Sequence, residues 1–180
     1  PPSQHSVYYS YYIKGIVSFE QDKNFLANII PMDPSTREPG AARQSFNDFS
    51  ELLRLFPDSE YAPDAQSKMK YLRNLLAQSE IRVAEYYIER GAYVAAVNRG
   101  RYVLENFQGS VAVPDGLAIM VEAYKMMDME DLAAKTLKVL VTNYPEHGSL
   151  DKNGNFKKTV NKGGGKTRNW LRTLTLGLFG

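Results

Sequence analysis

Cysteine is missing from the 180 residues, and histidine and tryptophan are nearly so, at two and one. Without thiols there is no disulfide, no thiolate metal site and no cysteine nucleophile, though the compartment stays open. His5 and His147 fall in separate expected loops, which gives little support to a histidine-based triad or a zinc site. No run approaches the ~20 apolar residues of a membrane-spanning helix. No methionine or apolar leader opens the chain at Pro1-Pro2-Ser3, which reads as a processed form or a fragment. Basic charge is scarce in the body. Residues 1–150 hold 15 Lys/Arg against 19 Asp/Glu, whereas residues 151–180 hold 7 against 1. The body is mildly acidic, so no nucleic-acid partner is expected.

Two ligand motifs come close and fail. Gly163-Gly-Gly-Lys-Thr167 ends like a phosphate loop, but the glycine required at position 160 is Val160 and no apolar strand leads in. Asp151, Asn153 and Asn155 have calcium-loop spacing, yet Phe156 and Lys162 stand where glycine and glutamate are required. Carboxylate pairs such as Glu85 and Glu89 read as a solvated helix surface. Nothing points to an enzyme, a cofactor or a bound metal.

What is present is repetition. Shifted by 37 residues, Tyr87 falls on Tyr124, Ala96 on Ala133, Val103 on Leu140, Asn106 on Asn143 and Phe107 on Tyr144. A helical tyrosine, a turn, a small residue early on the next helix and an aromatic stop is a tetratricopeptide-like pattern. Gly91 supplies the first turn, Met127-Asp128 takes its place in the second, and Pro145 follows the last stop. Small Ala96 and Ala133 are expected to be buried where the two helices of each hairpin approach. A second offset, of 51, carries Phe56 onto Phe107, Ser59 onto Ser110 and Pro63-Asp64-Ala65 onto Pro114-Asp115-Gly116. The surplus of 14 is about four turns at ~3.6 residues each. One unbroken long helix over 63–90 is therefore expected, with Met69, Leu72, Leu76, Val83 and Tyr87 as its buried stripe.

In chain order, Ser6 to about Glu20 reads as a helix whose Tyr8, Tyr9, Tyr11 and Tyr12 cannot all face one side. Two or three are expected to pack against a preceding element. Asp22 to Gly40, with Pro31, Pro34 and Pro39, interrupts the pattern, and Phe25, Leu26, Ile29 and Ile30 argue for an ordered excursion. Helices follow over 41–56, 94–106, 114–127 and 131–143. Met120, Met126, Met127 and Met129 are expected as core filling more than as an adaptable surface. The array spans 1–150, in hairpins of about 6–58, 63–110 and 114–147. Residues 151–180 form a basic tail, glycine-rich and read as disordered over Lys157 to Arg168. Its end, Trp170 to Phe179, reads as a frayed tail, a membrane-touching segment or a strand added to a partner. The fold class is all-α, an α-solenoid of helical hairpins with one lengthened helix.

Three arginines are candidate partner-binding groups. Arg90 ends a helix beside Gly91, where a cation also complements the helix dipole. Arg99 and Arg101 lie mid-helix, either solvated or anchoring a partner carboxylate.

Phe46-Asn-Asp-Phe-Ser-Glu-Leu-Leu-Arg-Leu-Phe-Pro-Asp-Ser-Glu-Tyr61, the Pro63-Asp64-Ala65 helix start and Val83-Ala-Glu-Tyr-Tyr-Ile-Glu-Arg-Gly-Ala-Tyr93 resemble the BamD family of outer-membrane β-barrel assembly lipoproteins. The Pro-rich insert after the first helix adds to the resemblance, which covers about residues 1–150. It implies five repeats, of which the C-terminal three are here, and an acylated cysteine outside this chain. It implies a non-enzymatic scaffold on the periplasmic side of the outer membrane. This half would dock the last POTRA domain of a BamA-like barrel subunit and contact small Bam lipoproteins. Unfolded outer-membrane proteins would meet the full-length protein. The family's BamA-facing arginines match Arg90, in Glu89-Arg90-Gly91, and Arg99, in Asn98-Arg99. The tail from Asp151 has no placed counterpart. The alternative reading is another periplasmic tetratricopeptide adaptor, such as one serving cell-wall coordination.

Overall fold

The computed structural model describes residues 4–27 and 39–157. Six helices run α1 (Gln4–Ala27), α2 (Gly40–Leu55), α3 (Ala62–Glu89), α4 (Tyr93–Asn106), α5 (Val113–Met126) and α6 (Glu130–Asn143). Each packs on the next in sequence, and α3 also touches α5, which gives the stacked hairpins of an all-α, tetratricopeptide-like fold. Helix α3 is unbroken for 28 residues, about 42 Å at 1.5 Å per residue. Pro63 and Pro114 sit in the first turns of α3 and α5, where a missing N–H costs nothing.

The repeat is visible in the backbone hydrogen bonds. Gly91, at φ 72°, and Asp128, at φ 58°, are both left-handed. Ala92 N–H donates to the Tyr87 carbonyl and Met129 N–H to the Tyr124 carbonyl, both at 2.9 Å. The N–H groups of Gly91 and Asp128 reach the carbonyls of Ile88 and Lys125 at 3.1 and 3.2 Å. Both ends are therefore Schellman closures, with the carbonyl of the repeat tyrosine as the acceptor three positions inside the helix end. The aromatic stop is equally regular. Phe56, Phe107 and Tyr144 leave the helix with extended φ while their N–H groups still bond Leu52, Val103 and Leu140 at 2.8, 2.9 and 2.8 Å.

Packing uses the expected small residues and two that periodicity does not pick out. Ala96 and Ala133 are buried. At the α4–α5 crossing, a Cβ on Gly100 would lie 2.8 Å from the Gly116 carbonyl oxygen and 2.8 Å from Met120 Cγ. The two helices meet nearly backbone to backbone there. Met120 is buried and Met127 packs against the core, but Met126 and Met129 are exposed, so core filling accounts for only half of the methionines.

Several expectations are corrected. Helix α1 does not stop near Glu20 but runs to Ala27, because no proline or glycine intervenes before Pro31. Phe25 and Leu26 thus belong to α1, while Ile29 and Ile30 lie outside the described residues. Tyr8 and Tyr11 pack on Phe56 at ring distances of 6.0 and 5.7 Å, and Tyr12 stacks on Tyr61 at 4.5 Å. Tyr9 also meets Tyr61, at 5.7 Å, so all four tyrosines pack, though on the α2–α3 turn that follows them in the chain rather than on a preceding element. Tyr12 also donates to Asp64 at 2.6 Å. The buried stripe of α3 runs through Leu72, Leu76, Glu80, Ala84 and Ile88, with Met69, Val83 and Tyr87 only half-buried. Past α6, residues 148–157 fold back: Leu150 bridges Phe156, and both pack with Leu117 and Leu140. The expected turn over 151–155 is part of that fold-back, and Gly163 to Gly180 lie outside the described residues.

Gly91→Ala is expected to cost about 1–2 kcal/mol, and Asp128→Gly to gain stability, because only glycine is unstrained in the left-handed region. Urea denaturation of both variants checks the opposite signs. Ala96→Leu and Gly100→Ala each force apart a tight helix contact and should cost about 1–3 kcal/mol by the same measurement.

Candidate partner-binding surface

One buried carboxylate joins three helices. Glu80 lies on the buried stripe of α3 with its side chain 8% exposed. Its Oε2 accepts from Arg99 Nη1 of α4 at 2.9 Å, and its Oε1 lies 3.5 Å from Arg43 Nη2 of α2. Arg43 Nη1 also donates to the Tyr102 hydroxyl at 3.5 Å. A buried carboxylate with fewer partners would be expensive, so this clamp fixes α2, α3 and α4 relative to one another. Burial alone would lower the pKa of Arg99. The hydrogen bond and charge of Glu80, with a further hydrogen-bond interaction in which Tyr87 is the acceptor, outweigh it and raise the pKa.

Arg99 faces outward on the other side. Its side chain is 44% exposed and lines a shallow groove with Tyr87, Ala95, Asn98 and Tyr102. A second, apolar groove, lined by Gly91, Tyr93, Val94 and Met127, shares Ala95 and Asn98 with the first. The two form one trough along α4.

The other singled-out arginines are placed differently. Arg90 is exposed at the C-cap of α3, with its guanidinium carbon 5.1 Å from the Tyr86 ring centre. The Tyr86 and Tyr87 rings are 6.0 Å apart, so this pair links Arg90 to Arg99. Arg101 is exposed two residues beyond Arg99, about 200° round the helix and off the trough. Tyr124 is buried under the last hairpin, and Pro145 is exposed after the last aromatic stop. His147 contacts Asp115 at 3.2 Å and Ser149 at 2.7 Å, which pins the loop after α6 to the start of α5. Among the described residues no cluster of metal-ligating side chains occurs, and no helix is long and apolar enough to cross a membrane.

Glu80, Arg43 and Tyr102 were not picked out by motif. The signal was a single charged residue at a spacing of four inside an apolar stripe, between Leu76 and Ala84.

Over residues 1–147 the sequence matches the YfiO family, described as an outer membrane lipoprotein. The chain belongs to this family. It is 41% identical over 145 residues to the outer membrane protein assembly factor BamD of Neisseria gonorrhoeae, covering 81% of this chain and 54% of that protein. It is 38% identical over 146 residues to the factor of the same name from Xylella fastidiosa strain 9a5c, covering 81% and 50%. It is 31% identical over 142 residues to that from Vibrio cholerae, covering 79% and 59%. The chain thus spans about half the length of the family relatives it matches, and α1 to α6 all lie within the matched region.

Replacing Glu80 tests the clamp. Glu80→Ala would leave Arg43 and Arg99 without a carboxylate, and their partial exposure, 40% and 44%, lets water offset part of that loss. The expected cost is about 2–3 kcal/mol, with Glu80→Gln costing less because it keeps an acceptor. Chemical denaturation at pH 7 gives both values.

Proposed function

We propose that the chain is part of a non-enzymatic scaffold in outer-membrane protein assembly and that it docks the last POTRA domain of a BamA-like barrel subunit. Small lipoprotein subunits of the same machine bind the repeat array as well. The whole protein sits on the periplasmic side of the outer membrane, held there by a lipid anchor, and there meets unfolded outer-membrane proteins. The observation that carries the reading is Arg99: a guanidinium held from behind by a buried carboxylate, open to solvent in front, on a member of a family whose relatives are named assembly factors. Arginine suits this role because its planar fork can bond one carboxylate through one edge and a second through another. Arg90, linked through the Tyr86–Tyr87 pair, adds positive charge to the same approach. Arg101 contributes to a different side of α4.

The obvious charge reversal is a poor test. Arg99→Glu would set a second carboxylate beside Glu80, so a loss of binding would be mixed with a loss of fold. Arg99→Gln keeps a donor for Glu80 and removes only the charge. Titration of the isolated POTRA domain should show at least about a tenfold loss of affinity for Arg99→Gln, with the thermal midpoint followed in parallel. Unchanged affinity in the folded variant would refute the assignment.

A further inference from the structure

We infer that the α5–α6 turn is an oxidation site: hydrogen peroxide converts Met126, Met129 and, more slowly, Met127 to sulfoxides, and the change weakens docking on α4. This rests on the docking reading above and adds a chemical means of regulating it.

The repeat shows that these methionines are not demanded by the fold. At the 37-residue offset, Met126, Met127 and Met129 fall on Glu89, Arg90 and Ala92. The two turns close with the same backbone bonds, Ala92 N–H to Tyr87 and Met129 N–H to Tyr124, both at 2.9 Å. Glu89 and Arg90 are exposed, so charged side chains satisfy the first two positions of the turn and a methyl group the last. Three thioethers in four residues therefore serve something other than closure.

Exposure sets which sulfurs react. Met126 is 48% exposed and Met129 44%, whereas Met120 is 8% exposed and pressed against Gly100. Met69 is half-buried, and its Sδ accepts a hydrogen bond from Ser50 Oγ at 3.9 Å, which occupies a lone pair. Met127 lies between these extremes: half-buried, it lines the apolar groove with Tyr93 and Val94. In the reaction a sulfur lone pair attacks one peroxide oxygen and the O–O bond breaks. The proton of that oxygen passes to the other, which leaves as water. The sulfur gives up two electrons and gains an S=O bond, and the peroxide is reduced.

The product is polar where the surface was apolar. A sulfoxide oxygen is a hydrogen-bond acceptor, and a partner covering Met127 would bury it without a donor. The groove of Met127 is continuous with that of Arg99 through Ala95 and Asn98. Oxidation at the turn thus alters the surface that the arginine serves, and the two methionine sulfoxide reductases, one for each epimer, reverse it.

The test treats the full chain with hydrogen peroxide, removes the excess with catalase and follows each methionine by peptide mass mapping. Met126 and Met129 should gain oxygen first and Met127 next, with Met69 and Met120 at least about tenfold slower than the exposed pair. The oxidised chain, still helical by circular dichroism, should bind the POTRA domain about tenfold more weakly. Treatment with both reductases should restore the affinity. A variant carrying Met126→Leu, Met127→Leu and Met129→Leu keeps apolar side chains of similar volume. Whatever its starting affinity, it should lose none of it to peroxide. Equal rates at Met120 and Met126, unchanged affinity after full oxidation of the turn, or a peroxide effect that survives in the leucine variant would overturn the inference. So would a loss of binding that comes with a loss of helix signal. If the untreated chain does not bind the domain, the docking reading fails, and the peptide map alone decides the oxidation site.

Discussion

The carboxylate of Glu80 is the constraint on which the rest of this surface depends. Removing a charge from water costs several kcal/mol, and only good geometry returns it. Here the return comes from two neighbours, Arg43 of α2 and Arg99 of α4. Any change in the angle between successive hairpins would stretch one of these contacts. A purely apolar core tolerates small sliding between helices, because burial is not directional. A charged one is far less forgiving. The long helix α3 carries Glu80 about two-thirds of the way along, where α2 and α4 both reach it, so the clamp sits where one hairpin hands over to the next.

That geometry also explains why the exposed side of Arg99 suits recognition. A free surface arginine gives up much side-chain entropy when it binds. Arg99 has already done so on folding, through its bond to Glu80 at 2.9 Å. The fold has fixed the group that a partner meets. Arg101, two residues on and exposed, has no such backing among the described residues. The two arginines are alike in sequence and unlike in physical terms.

Most of the helical frame was legible because it is written in local chemistry. Tyr87 and Tyr124, Gly91 and Asp128, Ala96 and Ala133 recur at one interval, and each pair makes the same backbone bond or the same contact. The unbroken α3 followed from a surplus of residues and the absence of Pro and Gly between Ala65 and Arg90. What stayed hidden was non-local. No spacing rule reveals that Gly100 faces Gly116 across a helix crossing, or that Arg43 reaches Glu80 from 37 residues away. The extent of α1 was misjudged for a simpler reason. Asp22 to Gly40 reads as one interruption because of its prolines, yet the first of them is Pro31 and nothing before it stops a helix.

The stretch after α6 shows how one turn serves two ends. After Phe56 and Phe107 the chain makes the same pair of bonds: Ser59 N–H to Phe56 and Ala62 N–H to Ser59, then Ser110 N–H to Phe107 and Val113 N–H to Ser110. A proline follows each time, and a helix starts. Tyr144 begins the pattern again, with His147 N–H bonded to Tyr144 and Leu150 N–H to His147. The next residue is Asp151 instead of proline. Its carboxylate takes the N–H groups of Asn153 and Asn155, both at 2.8 Å, and Gly154, at φ 78°, turns the chain back. The bond from Lys157 N–H to the Ser149 carbonyl then closes the return. Leu150 and Phe156 are thereby laid against Leu117 and Leu140, the apolar surface that α5 and α6 share. The same aromatic stop therefore leads to a helix or to a covering loop, and the choice lies in the residues that follow it. Proline presets φ for a first helical turn, while aspartate offers the backbone donors an acceptor that competes with the helix.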